Sequence, residues 1–427
     1  MKEVRKVLVG FELGEEESQI CYFDRKAAEP VSIPARVGTN SFAFPTALTA
    51  MPGGNGWHFG LEARYFASRE GGIPVCLPED GADGSGSGSF LGLIRSGSGM
   101  EVDGRYYEPH ELLAQFFREA LKMLGLPDPL KSIAGIGVAV PSLDGAFALL
   151  VRKSLSAAGF RSGICFVMDA DESFYYYGYS QRAEVCARKM GLIRFGGNHV
   201  SFLSMEENRT RKPFAVTVAE EGEVTLPEEP EERDSAFADA VTEWTGSGGY
   251  SGIFITGSGF SPDWAGKSIK ALSHGGARVF EGGNLYVKGA CWAAYERLER
   301  HSFKNRIYLG ADRVRAAVGI DIIEGAGQRF FPLISPGENW YEARSVCEVI
   351  PEGRSDLFVT VVPADGMAHR SERIVLNGLP ARPDRATRLR LSASCPSPDV
   401  CHIEAEDLGF GELYPATHEV WTMDVSL

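Results

Sequence analysis

Two glycine turns hold the chain's candidate chemical groups, Gly10-Phe11-Glu12-Leu13-Gly14 and Arg194-Phe195-Gly196-Gly197-Asn198, each set in an apolar run that reads as a strand. A glycine turn lets backbone N–H groups approach phosphate oxygens, and a carboxylate beside it can hold the water shell of Mg2+. Glu12 is placed to be that carboxylate. Yet Glu15, Glu16 and Glu17 follow, where a phosphate cradle would offer small hydroxyl residues. Like charges roughly 4 Å apart repel by about 4 kcal/mol at an effective dielectric near 20, and by about 1 kcal/mol in water, so the run weakens nucleotide binding. In the second turn Arg194 stands where a metal-facing acid would; a guanidinium pairs with phosphate but cannot hold a cation. No metal-ligand set is assigned. Taken alone, both turns read equally well as ordinary strand ends.

Strand and helix alternate around these turns. Val7–Gly10 and Ser18–Phe23 read as antiparallel strands around the first turn, followed by a strand at Phe44–Leu48. Residues 80–99, rich in glycine and serine, are expected to form a mobile loop. Leu112, Leu113, Phe116, Phe117, Ala120, Leu121 and Leu124 recur at helical spacing before Gly125, which predicts a helix over 109–124. Strands at Ile133–Val140 and Ile164–Met168, a helix over Ser173–Met190, and the strand bearing the second turn come next. The glutamates between 220 and 232 read as a solvated loop. An apolar strand then ends in Gly257-Ser258-Gly259, Pro262 opens a helix that stops near Gly275, and Asn284–Arg300 is another helix. Beyond residue 302 the period changes to two: Leu389, Leu391 and Ala393 alternate with polar residues, as do Ile403 and Ala405, around the turn Pro396-Ser397-Pro398-Asp399. Further strands are predicted at 330–334, 344–349, 357–362, 373–376 and 419–425, which makes the second domain all β, a sandwich.

Composition narrows the functional classes. The chain has 427 residues, 44% hydrophobic and 23% charged, enough for two or three domains with proper cores. A formal charge of −14, with no basic stripe, argues against nucleic acid and anionic membranes as partners. No segment has membrane-spanning length and the first residues do not resemble a secretory signal. Eight scattered cysteines without a Cys-x-x-Cys pair fit free thiols in a reducing cytoplasm.

With the elements in order, the chain resembles the seventy-kilodalton heat-shock chaperones, the DnaK-like family, over almost its whole length. Val9–Gly14 is similar to that family's first phosphate loop, with Glu12 at the usual aspartate. Val138-Ala139-Val140-Pro141-Ser142 is similar to its strand ending in valine-proline-alanine, and Asp169–Gly178 takes the place of its Asn-Glu-Pro-Thr segment. Gly191–Ser201 takes that of its second phosphate loop, Ile255–Gly259 that of its adenosine-binding turn, and Val287-Lys288-Gly289-Ala290 that of its closing helix. The resemblance continues through Val318-Gly319-Ile320-Asp321, Phe331–Ile334, Asn377–Pro380 and Ile403–Asp407.

The resemblance implies an actin-like, ribonuclease H-like two-lobed α/β domain over 1–301, then a β-sandwich over 306–427 resembling the chaperone peptide-binding domain, without a helical lid. It implies ATP or ADP with Mg2+ as cofactors and extended peptides as partners. Carried over residue by residue, Glu12 and Asp169 would be the catalytic carboxylates, and Gly14, Arg194, Gly196, Gly197, Gly257 and Gly259 would line the nucleotide. The departures weigh against turnover: Arg194 replaces the second metal-facing aspartate, Asn198-His199 replaces a glycine-threonine pair, and 204–252 is too short for the family's outer lobe. The expected function is therefore a pseudo-ATPase that binds a protein or an extended peptide. The alternatives are an active ATPase with altered metal dependence and, less in keeping with the β domain, a sugar-kinase-like enzyme.

Overall fold

The apolar run after Lys6 forms β1 (Val7–Leu13), and the chain returns as β2 (Glu17–Asp24) and β3 (Glu29–Ser32). The structure, a computed structural model, describes residues 6–54, 56–69, 71–76, 89–246, 248–274, 276–325, 327–352 and 356–427. Short pieces follow. β4 (Phe44–Pro45) pairs with β2, while β5 (Leu48–Ala50), β6 (Trp57–Phe59) and β7 (Ile73–Pro74) form a small sheet beside α1 (Gly60–Ala67). After α2 (Phe90–Arg95), β8 (Met100–Val102) and β9 (Arg105–Tyr107) comes α3 (Pro109–Ala120), started by a first-turn proline and a capping box of Glu108 and Glu111. Its buried stripe packs Phe116 and Phe117 against Phe11 of β1, ring centroids 6.1 and 5.0 Å away. Then come α4 (Pro129–Ser132), β10 (Ile133–Val140), α5 (Gly145–Ala158), β11 (Cys165–Asp169) and α6 (Ala170–Ser180).

The first sheet has the order β11-β10-β1-β2-β3, with β10 and β11 parallel to β1 and β2 antiparallel to it. The second half of the chain builds β12 (Lys189–Gly196), β13 (His199–Asn208), β14 (Phe214–Thr225), α7 (Pro230–Gly246), β15 (Tyr250–Ser258), α8 (Gly266–His274), β16 (Arg278–Glu281) and α9 (Leu285–Tyr295). Its strands run β16-β15-β12-β13-β14, the order of the first sheet again, with β12 in the place of β1. The directions repeat too, since β15 is parallel to β12 and β13 antiparallel. Both halves are mixed α/β. Helix α9 lies on the first sheet at backbone contact: a Cβ on Gly10 or Gly137 would overlap the carbonyls of Val287 or Ala290, and one on Gly289 would overlap the Ser173 carbonyl of α6.

Several expectations change. The helix placed over Ser173–Met190 is α6, which starts at Ala170 because Asp169 caps it and stops at Ser180, so Lys189 and Met190 are already in β12. The acidic stretch 220–232 is not a loop: β14 continues to Thr225, and α7 begins at Pro230 with Glu231 and Glu232 in its first turn, where the helix dipole favours them. Of the glycine- and serine-rich stretch 80–99, residues up to 88 lie outside the described residues, and Phe90–Arg95 is helical, capped by Ser89 and buried through Phe90, Leu91, Leu93 and Ile94. Helix α5, which the sequence reading passed over, is capped by Asp144 and ends at Gly159 in the left-handed region.

The chain divides into two units, Met1–Met205 with Ala219–Ser302, and Glu206–Val218 with Phe303–Leu427. The expected boundary near residue 302 thus misses a segment that joins the second unit from within the first. In the second unit the start of β14 pairs in parallel with β17 (Arg306–Tyr308), Phe214 opposite Arg306. The rest of that unit is β18 (Ala316–Glu324), β19 (Gly327–Ile334), β20 (Arg344–Val349), β21 (Asp356–Pro363), β22 (Arg370–Val375), β23 (Leu389–Ser397), β24 (Val400–Asp407) and β25 (Val420–Ser426). Two antiparallel sheets, β19-β18-β21-β22 and β20-β23-β24-β25, contribute alternate residues to one core, Val318 and Val359 from the first with Leu389 and Ile403 from the second. Beneath it the Arg382 guanidinium forks onto both oxygens of the buried Asp407 at 2.6 and 2.7 Å and holds that carboxyl below the usual range. Among the described residues no helix of either unit is long and apolar enough to cross a membrane.

Candidate active site

Glu12 and Arg194 occupy corresponding central strands, β1 and β12, and both line one cavity in the first unit of about 110 Å³, closed by Ala139, Val140, Pro141, Ala170 and Tyr286. Register brings Glu12 beside Ala139 of β10, and Asp169 sits one position further along, opposite Val140. The Glu12 carboxyl accepts a hydrogen bond from the Val287 N–H, while its Oε2 is out of contact with solvent and has no hydrogen-bond partner among the described residues. Burial pushes this carboxyl up to about 8 against the pull of Val287, and the Glu17 carboxylate adds to the rise. At neutral pH Glu12 is therefore mostly protonated.

Arg194 is already engaged. Its Nη2 donates to Asp171 at 2.7 Å and its Nε to the Tyr286 hydroxyl at 2.9 Å, with the guanidinium 5.8 Å from the Tyr286 ring centroid. Burial works against the charged form, but Tyr286 and Asp171 more than offset it, so the guanidinium stays charged. The Tyr286 hydroxyl, itself buried, is pushed up to about 12 by that burial and stays protonated. The cavity thus presents one neutral acid, one neutral phenol and one cation bound to its own carboxylate. That set is a poor fit for a magnesium ion: at neutral pH the carboxyl facing the cavity is mostly protonated, and a guanidinium lines the same cavity. A volume of 110 Å³ also lies below the roughly 300–1,000 Å³ of small-molecule sites.

The other expected residues go elsewhere. Asp169 caps α6, accepting from the Glu172 N–H at 2.6 Å. Gly14 serves the turn itself, since a Cβ there would overlap the Glu17 carbonyl. Gly196 pairs with His199 and Ser258, and the Gly197 N–H donates to the Ser258 carbonyl at 2.8 Å. Gly257 and Gly259, both at positive φ, let β15 and its turn touch the β12 turn: a Cβ on either would overlap the carbonyl of Phe195 or Gly197. The turn after β15 therefore packs on the turn after β12. His199 lies within 3.2 Å of Glu223.

Gly197 and Gly259 also border a larger cavity of about 460 Å³, with Asn198, Glu228, Pro230, Arg233 and Trp264. Arg233 lies 4.9 Å from the Trp264 ring centroid and donates to the carbonyls of Gly197 and Gly259 at 2.7 and 3.2 Å. Sequence reasoning missed Asp171, Tyr286, Arg233 and Trp264. Asp171 and Tyr286 had one local signal each, a first-turn acid and a helix start. What makes them matter is pairing over 23 and 92 residues of chain.

Residues 29–311 match the family of unknown function DUF5716, over its C-terminal part, and residues 313–427 match the domain of unknown function DUF8552. No curated protein matches the chain.

Proposed function

The chain belongs to the DUF5716 family, and we propose that its first unit is an actin-like, two-lobed domain of the DnaK kind that has given up magnesium-dependent ATP hydrolysis. On this reading the protein is a pseudo-ATPase that works in the cytoplasm as a protein- or peptide-binding module, with the second unit a β-sandwich for that task. The repeated strand order of the two sheets supports the actin-like architecture, and eight free cysteines suit a reducing compartment. The observation that carries the loss of activity is the double engagement of Arg194 by Asp171 and Tyr286 opposite a protonated Glu12.

A second reading, an actin-like ATPase with altered metal dependence, draws on the 460 Å³ cavity between Gly197, Gly259, Arg233 and Trp264. Thermal-shift titration with ATP and with ADP, each with and without Mg2+, separates the two. A ligand at 100 times its dissociation constant stabilises by about 2.7 kcal/mol. The pseudo-ATPase reading expects no shift at millimolar nucleotide and no phosphate release. Magnesium-dependent turnover lost in Glu12→Gln would overturn it, and stabilisation by nucleotide that is indifferent to Mg2+ would favour the second reading.

A further inference from the structure

We propose that the second unit binds a small amphipathic molecule carrying a carboxylate, an apolar body and a distal ammonium, in a groove on the outer face of the sheet β19-β18-β21-β22. The site shares no residue with the cavities described above and goes beyond the reading given for them. Along β18, Val318 and Ile320 face the core, so Ala317, Gly319 and Asp321 face outward. Gly319 lets β19 close in on β18, so that the Phe330 ring lies over it: a Cβ there would come within 2.2 Å of the Phe331 carbonyl and 2.8 Å of that ring. Phe330 and Pro332 of β19 and Val362 of β21 flank Gly319, giving a groove of about 440 Å³, a volume typical of small-molecule sites, which run roughly 300–1,000 Å³.

The groove is polar at both ends and with opposite sign. Arg211-Lys212-Pro213 borders one end, held beside the turn between β21 and β22 by the Asn208 amide, which donates to the Asp365 carbonyl at 3.1 Å. The Arg211 guanidinium donates to His369 Nε2 at 2.6 Å; since it can only donate, the proton of neutral His369 sits on Nδ1. Among the described residues neither Arg211 nor Lys212 has a carboxylate within ion-pair distance, whereas the nearby Arg209 and Arg306 both reach Glu207 at 3.3 Å. Two cations without an acidic partner in a chain of formal charge −14 leave an anion site beside an apolar floor. At the other end stands Asp321, paired in register with Phe330 and four residues along β18 from Ala317, about 13 Å at the usual strand rise. A carboxylate at the basic end, methylenes over Phe330 and Pro332, and an ammonium at Asp321 put an opposite charge at each end of the groove. A dianion would meet Asp321.

Calorimetric titration of the full chain with 8-aminooctanoate, octanoate and octylamine tests the assignment. The expected order is 8-aminooctanoate tightest, octanoate weaker, octylamine undetectable. Arg211→Ala with Lys212→Ala should weaken 8-aminooctanoate by about tenfold or more, and Asp321→Asn should remove its advantage over octanoate. These side chains are exposed, and an unchanged melting temperature confirms the fold of each variant; Lys212→Gln alone, with a smaller loss, backs up the double change. Octylamine binding as well as octanoate, equal affinity in the Arg211/Lys212 variant, or no heat with any of the three at millimolar concentration would each overturn the proposal.

Discussion

The two sheets of the first unit share one strand order, yet at matching central strands one carries Glu12 and the other Arg194. Topology repeats and charge does not. In the first sheet the carboxyl is buried with one backbone donor and loses its charge; in the second the guanidinium recruits Asp171 and Tyr286 and keeps it. The difference shows that a repeated backbone leaves the chemistry of a cleft to a few side chains and their partners, and that burial neutralises an acid far more readily than an arginine.

The comparison breaks most severely at the glycines that seat each half. Gly137→Val should force α9 off the first sheet and Gly257→Val should push β15 off the β12 turn, each costing about 3 kcal/mol or more, as backbone overlaps do. Urea denaturation reads both, and a loss below about 1 kcal/mol in either would show that the half can relax around the added methyls. Next comes Arg194→Met. Its side chain and that of Asp171 are 33% and 35% exposed, so the expected cost is about 1–2 kcal/mol rather than the roughly 3–5 kcal/mol of a fully buried pair. The melting temperature should fall further for Arg194→Met than for Asp171→Asn, which keeps a hydrogen-bond acceptor.

Glu12 sharpens the contrast through pH. Its folded pKa of about 8 lies above the unfolded value of 4.5, so the folded state holds the extra proton between those limits. Its contribution is fully present below pH 4.5 and is lost as pH rises through 8. Glu12→Gln should flatten the fall in stability across that window and leave Arg194 bonded as before; denaturation curves at pH 5 and pH 8.5 for both proteins check it. The smallest effect belongs to the turns: Gly197→Ala, at φ 70° with open space around it, should cost about 1 kcal/mol and leave the Arg233 contact intact.

Much of the architecture was legible where one face is apolar. Leu112, Leu113, Phe116 and Phe117 announced α3, and the period-two runs around Leu391 and Ile403 announced β23 and β24. Helix α7 was hidden by its own charges. Reading the glutamates as solvated overlooked Pro230 at the first turn and the spacing of Asp234, Phe237, Val241 and Trp244, all buried on one face. At the site, the types at Glu12 and Arg194 were visible but their electrostatic state was not. Protonation of Glu12 follows from burial under α9, and the engagement of Arg194 follows from a tyrosine on that same helix. Local patterns carry no record of such distant neighbours.

The excursion of Glu206–Val218 into the second unit has a practical consequence for anyone dividing the gene. A fragment starting at residue 303 would lack the partner strand of β17 and the basic lip of the groove, and would expose an unpaired edge prone to self-association. The complementary fragment, ending at 302, would keep β13 and β14 paired with each other but would bare the edge of β14 that β17 covers. The two units are separable as bodies but interleaved as text.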